Sequence, residues 1–383
     1  MSVDVRPAAP QRSEAAASEG PAAPSGLELP LVSVVVPVRN EESHIARVLG
    51  RLGDQDYPAG RFEVIVVDGQ STDNTVATVQ KFVESHRNVR LLPNPARLSS
   101  AGRNVGIRAA RGDIIVIVDG HCELEDDQFL RKHVAAFDRS GADCLGRPQP
   151  LELSGATALQ RAIAAARSSW LGHHPASHIY SSRERFVPAA SVAAAYRRSV
   201  FDRVGYFDES FDACEDYELN TRIDRAGLRC YFTPDITVRY RPRDSLAALF
   251  RQLVRYGRGR ARLMRKHPST ISLGSLLPAL FVLFLLLGLP ASFVSPWLAV
   301  GYCAALSAYI VLVLAVSAAI GLRLHSPKVA LLLPAVFAAI HIAAGAGALL
   351  DWTGAKPNGA AEVRNQAAEA ARRDATTGLR RDS

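Results

Sequence analysis

Three polar clusters in the first third of the 383-residue chain have residue types and spacings that can do chemistry: Arg39–Glu41, Asp68–Asp73 and Asp119–His121. In the last, an acid leaves an apolar run beside a glycine and a histidine. A carboxylate placed there can hold a hard divalent cation, and a cation so held neutralises a diphosphate. The second cluster lies within V-V-D-G-Q-S-T-D-N-T at 66–75 and puts Asp68 at the end of an apolar run, with a glycine turn behind it. Taken alone, that pattern also suits a β-turn followed by a helix N-cap.

Periodicity supplies the elements that would bring these clusters together. Leu31–Pro37 is a β-branched run of the kind that forms a buried parallel strand. A helix to about Leu52 follows, with Ile45, Val48, Leu49 and Leu52 on one face. Phe62–Val67 reads as a second strand, and Thr72 or Asp73 as the cap of a helix carrying Val76, Val79 and Val83. A third strand at Asn88–Leu92, a helix at Ala101–Ala110 and a strand at Ile114–Val118 complete the series. This alternation predicts an α/β, doubly wound, mostly parallel sheet, in which ligands gather at the carboxyl ends of strands. All three polar clusters fall at those ends. Further on, helices are expected at Ala156–Leu171 and Asp216–Ala226, a loop at His173–Arg185 and a strand at Ser191–Tyr196.

Beyond residue 240 the chain changes character. Arg239–Pro268 holds nine Arg and one Lys against a single acid, Asp244, a net of +9 in a chain whose total is +8. Ser245–Lys266 reads as a basic amphipathic helix broken around Gly257 and Gly259. Neither Ser269–Leu322 nor Val329–Leu350 contains Asp, Glu, Lys or Arg. A bilayer core takes about 20 apolar residues per helix, so three spans are predicted, 271–290, 297–321 and 329–350. The third, with His341, Gly345 and Gly347, also admits a re-entrant or interfacial reading. A wholly soluble protein is excluded. A basic block directly before an apolar span reads as cytoplasmic and juxtamembrane, with lipid headgroups or a phosphorylated substrate as partners rather than nucleic acid. Three crossings would put the tail outside with Lys356, Arg364, Arg372, Arg373, Arg380 and Arg381, against the positive-inside bias. Either the third span does not fully cross or the tail departs from that bias. Five scattered cysteines without a CxxC pair fit a reducing cytoplasm. Residues 1–30, rich in Ala, Pro and Ser, read as a disordered leader and not a signal peptide.

The motifs VSVVVPVRNEE, VVDGQSTDNT, AGRNVGIRAARGDIIVIVDGH, YRRSVFDRVGYFDE and CEDYELNTRIDRAG resemble, in order and spacing, those of family 2 glycosyltransferases. The resemblance covers about residues 31–265 and implies a GT-A (Rossmann-like) fold and an inverting enzyme that uses nucleotide-diphosphate sugars. RQLVRYGRGR at 251–260, followed by apolar helices, resembles the membrane-bound, ExoA-like branch, which builds exopolysaccharide repeat units on lipid carriers.

Carried onto this chain, the resemblance implies a nucleoside pocket lined by Pro37, Val38, Arg39 and Glu41, with Asp68 accepting from the base, typically uracil. Arg103 and Asn104 match a stretch near the donor; Arg103 suits phosphate, whereas Asn104 is equally a helix-surface amide. Asp119-Gly120-His121 occupies the place of the family's D-x-D motif with His in place of the last acid. Gly120 then lies by the donor, and Asp119 and His121 become the metal ligands. Imidazole suits Mn2+ better than Mg2+; direct contact of His121 with the diphosphate is the other possibility. Glu215-Asp216 matches an acid pair in which Asp216 is the catalytic base, with Glu218 and Arg222 bracing the site. Gln252-x-x-Arg255-Tyr256 resembles the Q-x-x-R-W motif of processive synthases, which would set Gln252 and Arg255 at the donor; lipid-facing arginines explain it as well. His173, His174 and His178 read as loop residues over the acceptor, and Trp170, Tyr180 and Phe186 as sugar-stacking or packing groups. His341 suits an interhelical hydrogen bond.

The expectation is therefore a leader (1–30), a GT-A catalytic domain (31–240), a basic interfacial helix (241–268), a membrane domain (269–350) and a polar tail (351–383), multi-pass in the inner membrane with its catalytic domain cytoplasmic. It would move a single sugar from a nucleotide-diphosphate sugar, a UDP-sugar by analogy with the family, to a lipid-linked or other membrane-held saccharide, with Mn2+ or Mg2+. The rivals are a processive synthase, a nucleotidyltransferase and a non-catalytic scaffold binding anionic lipid.

Overall fold

The computed structural model describes residues 29–173 and 177–354. Most of the expected leader, His174 and the tail from residue 355 lie outside the described residues. The first half alternates β1 (Val32–Val38), α1 (Ile45–Gly53), β2 (Phe62–Asp68), α2 (Thr75–Ser85), β3 (Val89–Pro93), α3 (Ser99–Ala109) and β4 (Ile114–Ile117). There follow β5 (Cys122–Leu124), α4 (Phe129–Ser140), β6 (Cys144–Gly146), α5 (Ala158–Ser168), β7 (Arg185–Val187), β8 (Ala193–Arg197), α6 (Arg198–Val204), α7 (Glu215–Arg225), β9 (Cys230–Phe232) and β10 (Val238–Tyr240). Four long helices close the described chain: α8 (Leu246–Lys266), α9 (Leu273–Ser292), α10 (Pro296–Arg323) and α11 (Pro327–Trp352).

Eight strands form one sheet in the order β3-β2-β1-β4-β8-β6-β9-β7. The first four run parallel, which sets Val38 of β1 opposite Asp68 of β2 and Val35 opposite Ile117 of β4. β8 is antiparallel to both β4 and β6, and β10 pairs with β5 in a separate two-stranded ribbon, Tyr240 opposite Cys122. β1 and β2 are buried on both faces, as their near-continuous apolar sequences require. One face packs α1, α2 and α4 through Ile45, Leu52, Val79 and Phe137. The other packs α3, α6 and α7 through Ile107, Phe201 and Ile223. This is the doubly wound, mostly parallel arrangement expected from the alternation of strands and helices.

α8 departs from expectation: it runs unbroken through Gly257 and Gly259. These glycines let other backbones come close. A Cβ at Gly257 would lie 2.1 Å from the Ala344 carbonyl oxygen of α11, and one at Gly259 would lie 2.6 Å from the Ala213 carbonyl oxygen. The cations at the C-terminal end of α8 are engaged within the protein, whereas Arg251 and Arg255 are exposed. Arg262 pairs with Asp212 (3.0 Å) and Asp351 (3.3 Å), Arg265 pairs with Asp351, and Lys266 pairs with Asp208 and Glu218 (both 2.6 Å). α9, α10 and α11 are each long and apolar enough to cross a membrane, with mean hydropathies of 2.3, 2.4 and 2.2. α11 is the most buried of the three.

Candidate active site

The carboxyl ends of β2, β1 and β4 lie side by side in the parallel part of the sheet, and the polar clusters sit just past them. Asp68 ends β2, is buried, and accepts from the Ser71 backbone N–H (3.1 Å) and hydroxyl (2.5 Å). Its neighbour Gly69 donates its N–H to the Val38 carbonyl at the end of β1 (2.8 Å). Arg39 stands exposed at this edge, and Pro37 lies in β1 facing α3 near Gly102. Asp119 follows β4, two strands away from Asp68. Gly120 fits closely under β1: a Cβ there would be 2.7 Å from Val38 Cγ1 and 3.2 Å from Glu41 Cγ.

Asp119 is held from two sides. Arg103 of α3 donates to its Oδ1 (3.3 Å) and the Tyr240 hydroxyl of β10 donates to Oδ2 (3.0 Å). Burial works against its charge, but Arg103 and His121 beside it prevail and keep its carboxyl below the usual range. The second nitrogen fork of Arg103 reaches Glu215 Oε1 at 3.2 Å, so one guanidinium ties the end of β4 to the first turn of α7. Burial opposes the charge on Arg103, yet the carboxylates of Glu215, Asp119 and Asp216 outweigh it and raise its pKa. For Glu215 burial wins over Arg103, and its pKa is raised.

Asp216 is exposed and lines the same cleft as Asp119, Arg103, Arg147, Gln149, Tyr196, Phe207 and Tyr240. The chain reaches it through Cys214 in left-handed conformation (φ 62°), and it sits in the first turn of α7. His121 turns its Nδ1 to Glu41 Oε1 at 2.9 Å. Burial disfavours a charged His121, but Glu41 and Asp119 overcome that and raise its pKa.

The structure thus brings Arg103, Asp119 and Asp216 to one cleft, with Glu41 and His121 at its edge, while Asp68 stands along the same sheet edge without lining it. Gln252 and Arg255 are not among the cleft residues: Gln252 donates to the Tyr256 hydroxyl (3.0 Å) and accepts from Arg243 (3.2 Å). Arg260 of α8 lies 4.1 Å above the ring of Tyr217, beside Asp216. Asn104 is not among the cleft residues. It is buried, its amide donates to the Phe207 carbonyl (2.9 Å) and its oxygen accepts the Phe207 N–H (2.9 Å), bracketing the loop before α7. Glu218 and Arg222 do pair, at 2.8 Å, with Glu218 also bonded to His267 (3.0 Å). Trp170 and Phe186 are exposed, whereas Tyr180 packs edge-on to His173 (4.8 Å). His341 meets Tyr309 of α10 at 3.0 Å, the interhelical bond expected of it.

Several cleft residues escaped the sequence reading, among them Arg147, Gln149 and Tyr240. Arg147, almost fully buried, donates to the Ile117 carbonyl (2.8 Å) at the end of β4 and stacks over Phe129 (5.6 Å). Gln149 and Tyr240 reach the cleft from segments whose strands are three residues long or absent, too short to carry a periodic signal.

Comparison with known proteins gives a consistent result. A family model described as glycosyl transferase family 2 matches residues 33–205. The succinoglycan biosynthesis protein ExoA of Rhizobium meliloti is 32% identical over 247 residues, covering 64% of this chain and 73% of that protein. A dolichyl N-acetyl-alpha-D-glucosaminyl phosphate 3-beta-D-2,3-diacetamido-2,3-dideoxy-beta-D-glucuronosyltransferase of Methanococcus voltae is 26% identical, covering 61% of this chain and 74% of its own. Among solved structures, the mannosyltransferase PcManGT of Pyrobaculum calidifontis, in complex with GDP-Man and Mn2+, superposes with a TM-score of 0.54 at 22% identity, covering 88% of this chain and 91% of that one.

Proposed function

Because this chain belongs to glycosyl transferase family 2, we propose that it transfers one sugar, with inversion, from a nucleotide-diphosphate sugar, a UDP-sugar, to a lipid-linked saccharide held at the membrane, in polysaccharide or glycolipid biosynthesis. The observation that carries this reading is the Arg103 bridge from Asp119 to Glu215, with exposed Asp216 beside it on one cleft. Asp216 takes the proton of the acceptor hydroxyl as that oxygen bonds to the anomeric carbon. The bond from that carbon to the diphosphate oxygen breaks, and the nucleoside diphosphate leaves with the electron pair. Arg103 holds positive charge near the departing group. Pro37, Val38, Arg39, Glu41, Asp68 and Gly120 form the donor side, Asp68 accepting from the base.

A divalent cation fits the corner at Asp119 and His121. Glu41 engages His121 Nδ1, which leaves Nε2 as the ligand nitrogen, the carboxylate–histidine arrangement common behind metal sites. Among the described residues no cluster of three protein ligands forms, so the diphosphate and water would complete the shell. Bound there, Mn2+ or Mg2+ would neutralise diphosphate charge. At most three membrane-crossing helices among the described residues are too few to enclose a polysaccharide channel, which supports single addition over processive polymerisation. Three apolar helices and the cation-rich juxtamembrane segment support an inner-membrane protein with its catalytic domain in the cytoplasm.

Asp216→Asn is the test. It should lose turnover by a factor of 1,000 or more, on the order expected when a positioned base is removed, while UDP-sugars still raise the melting temperature of the variant in Mn2+. Unchanged turnover would overturn the assignment, and failure of every nucleotide sugar to stabilise the native protein would overturn the pocket.

A further inference from the structure

α11 has the length of a membrane crossing, yet its two ends meet the same side of its neighbours. Near its start Ala330 packs against Gly321, at the end of α10: a Cβ on Gly321 would lie 2.3 Å from that of Ala330. Towards its finish Gly345 sits on the Pro278 carbonyl, and Ala348 clusters with Ala279, both in the first two turns of α9. α9 and α10 form an antiparallel hairpin, with Gly288 against Tyr302 and Phe281 against Tyr309 (4.6 Å). When a hairpin crosses a bilayer twice, the beginning of its first helix and the end of its second lie at one face. A helix reaching from one of these points to the other leans into the hairpin, His341 meeting Tyr309 midway along α10 at 3.0 Å, without passing to the opposite face.

The catalytic domain accompanies α11 for most of its length. Leu333, Val336, Phe337 and Ile340 share an apolar cluster with Ile163 of α5 and Leu249 of α8. His341 Nε2 pairs with the Leu171 carbonyl at 3.0 Å. A Cβ at Gly347 would lie 2.1 Å from the Val254 carbonyl oxygen, and Asp351 receives Arg262 and Arg265. From Leu333 to Asp351 a helix rises about 27 Å, close to the roughly 30 Å of a hydrocarbon core. A crossing α11 would draw α8 alongside it into hydrocarbon, with Arg251 and Arg255 exposed on its surface.

We propose that α9 and α10 alone cross the membrane. α11 begins and ends at the catalytic-side interface, clamped between the hairpin on one side and α5 and α8 on the other, and its exposed Leu331, Leu350 and Trp352 meet the headgroup layer of the bilayer. The tail, with Lys356, Arg364, Arg372, Arg373, Arg380 and Arg381, then stays on the catalytic side, in keeping with the positive-inside bias.

The test adds one cysteine at a time to a Cys303→Ala background, whose remaining cysteines are buried or half-buried, and reads the labelling above that background with a membrane-impermeant maleimide in inverted and right-side-out vesicles. Glu84→Cys marks the catalytic domain, Val294→Cys the α9–α10 turn and Thr353→Cys the end of α11. Thr353→Cys should label from the same side as Glu84→Cys, and Val294→Cys from the other. An epitope placed after Ser383 gives an independent reading and should be digested by protease from the Glu84 side. Labelling or digestion from the Val294 side would overturn the proposal. Neither readout depends on sugar transfer, so the topology and the reaction stand or fall separately.

Discussion

His121 Nδ1 lies 2.9 Å from Glu41 Oε1, across the end of β1. The pair fixes the orientation of the imidazole, and loss of such an outer carboxylate typically weakens metal binding about 10–100-fold. Glu41→Gln should therefore raise the Mn2+ concentration for half-maximal activity by at least about tenfold, read in a titration at saturating donor. An unchanged midpoint would remove His121 from the metal site.

Arg103 is the sole guanidinium of the cleft shared between two described carboxylates, Asp119 and Glu215. Its truncation leaves both acids in a buried setting without their cation. Breaking such a pair costs about 3–5 kcal/mol, so Arg103→Ala should lower the denaturation midpoint of the donor-free protein and abolish transfer. Arg103→Lys keeps the charge but cannot fork to two acids, and should recover stability more than activity.

His133 gives a pH dependence of known sign. It is buried, donates from Nδ1 to the Phe129 carbonyl (2.7 Å), and faces Arg147 with Nε2 (3.5 Å). Burial, aided by the charge of Arg147, lowers its pKa from 6.5 to about 3. Below pH 6.5 the unfolded chain therefore takes up a proton that the folded one refuses, and stability falls as pH drops from about 6.5 towards about 3, by a few kcal/mol in all. His133→Gln should flatten this part of the profile in denaturant titrations at stepped pH.

The close meeting of α8 and α11 makes Gly257 intolerant of a side chain. With a Cβ 2.1 Å from a backbone oxygen, the helices must separate. Gly257→Ala should destabilise by about 1–3 kcal/mol, seen as a lower melting temperature in detergent, whereas Gly60→Ala, with open space around it, should change little.

Much of this was legible in sequence where the signal is local and repeated. β1, β2 and β4 are runs of Val and Ile, and their carboxyl ends mark Asp68 and Asp119 without further help. The three-residue strands β6, β7 and β9 carry no such signal, and their places in the sheet depend on pairing partners far along the chain. Gly257 and Gly259 misled for a related reason. Glycine within a helical pattern suggests a break when judged by propensity, but these two answer to packing against other backbones. Asn104 read equally as a surface amide or a ligand because the loop it brackets lies about a hundred residues away. Arg147 lacked any motif at all.

α7 is gripped by α8 at several points: Gly259 lies against Ala213 and Cys214, Arg260 covers Tyr217, and Lys266 and His267 hold fully buried Glu218. Cutting the chain before Ser245 to obtain a soluble fragment would uncover Glu218 and release the turn that presents Asp216. The helix that leads into the apolar segments thus also braces the turn that carries Asp216, so a form truncated there should lose the support of that turn along with its anchor.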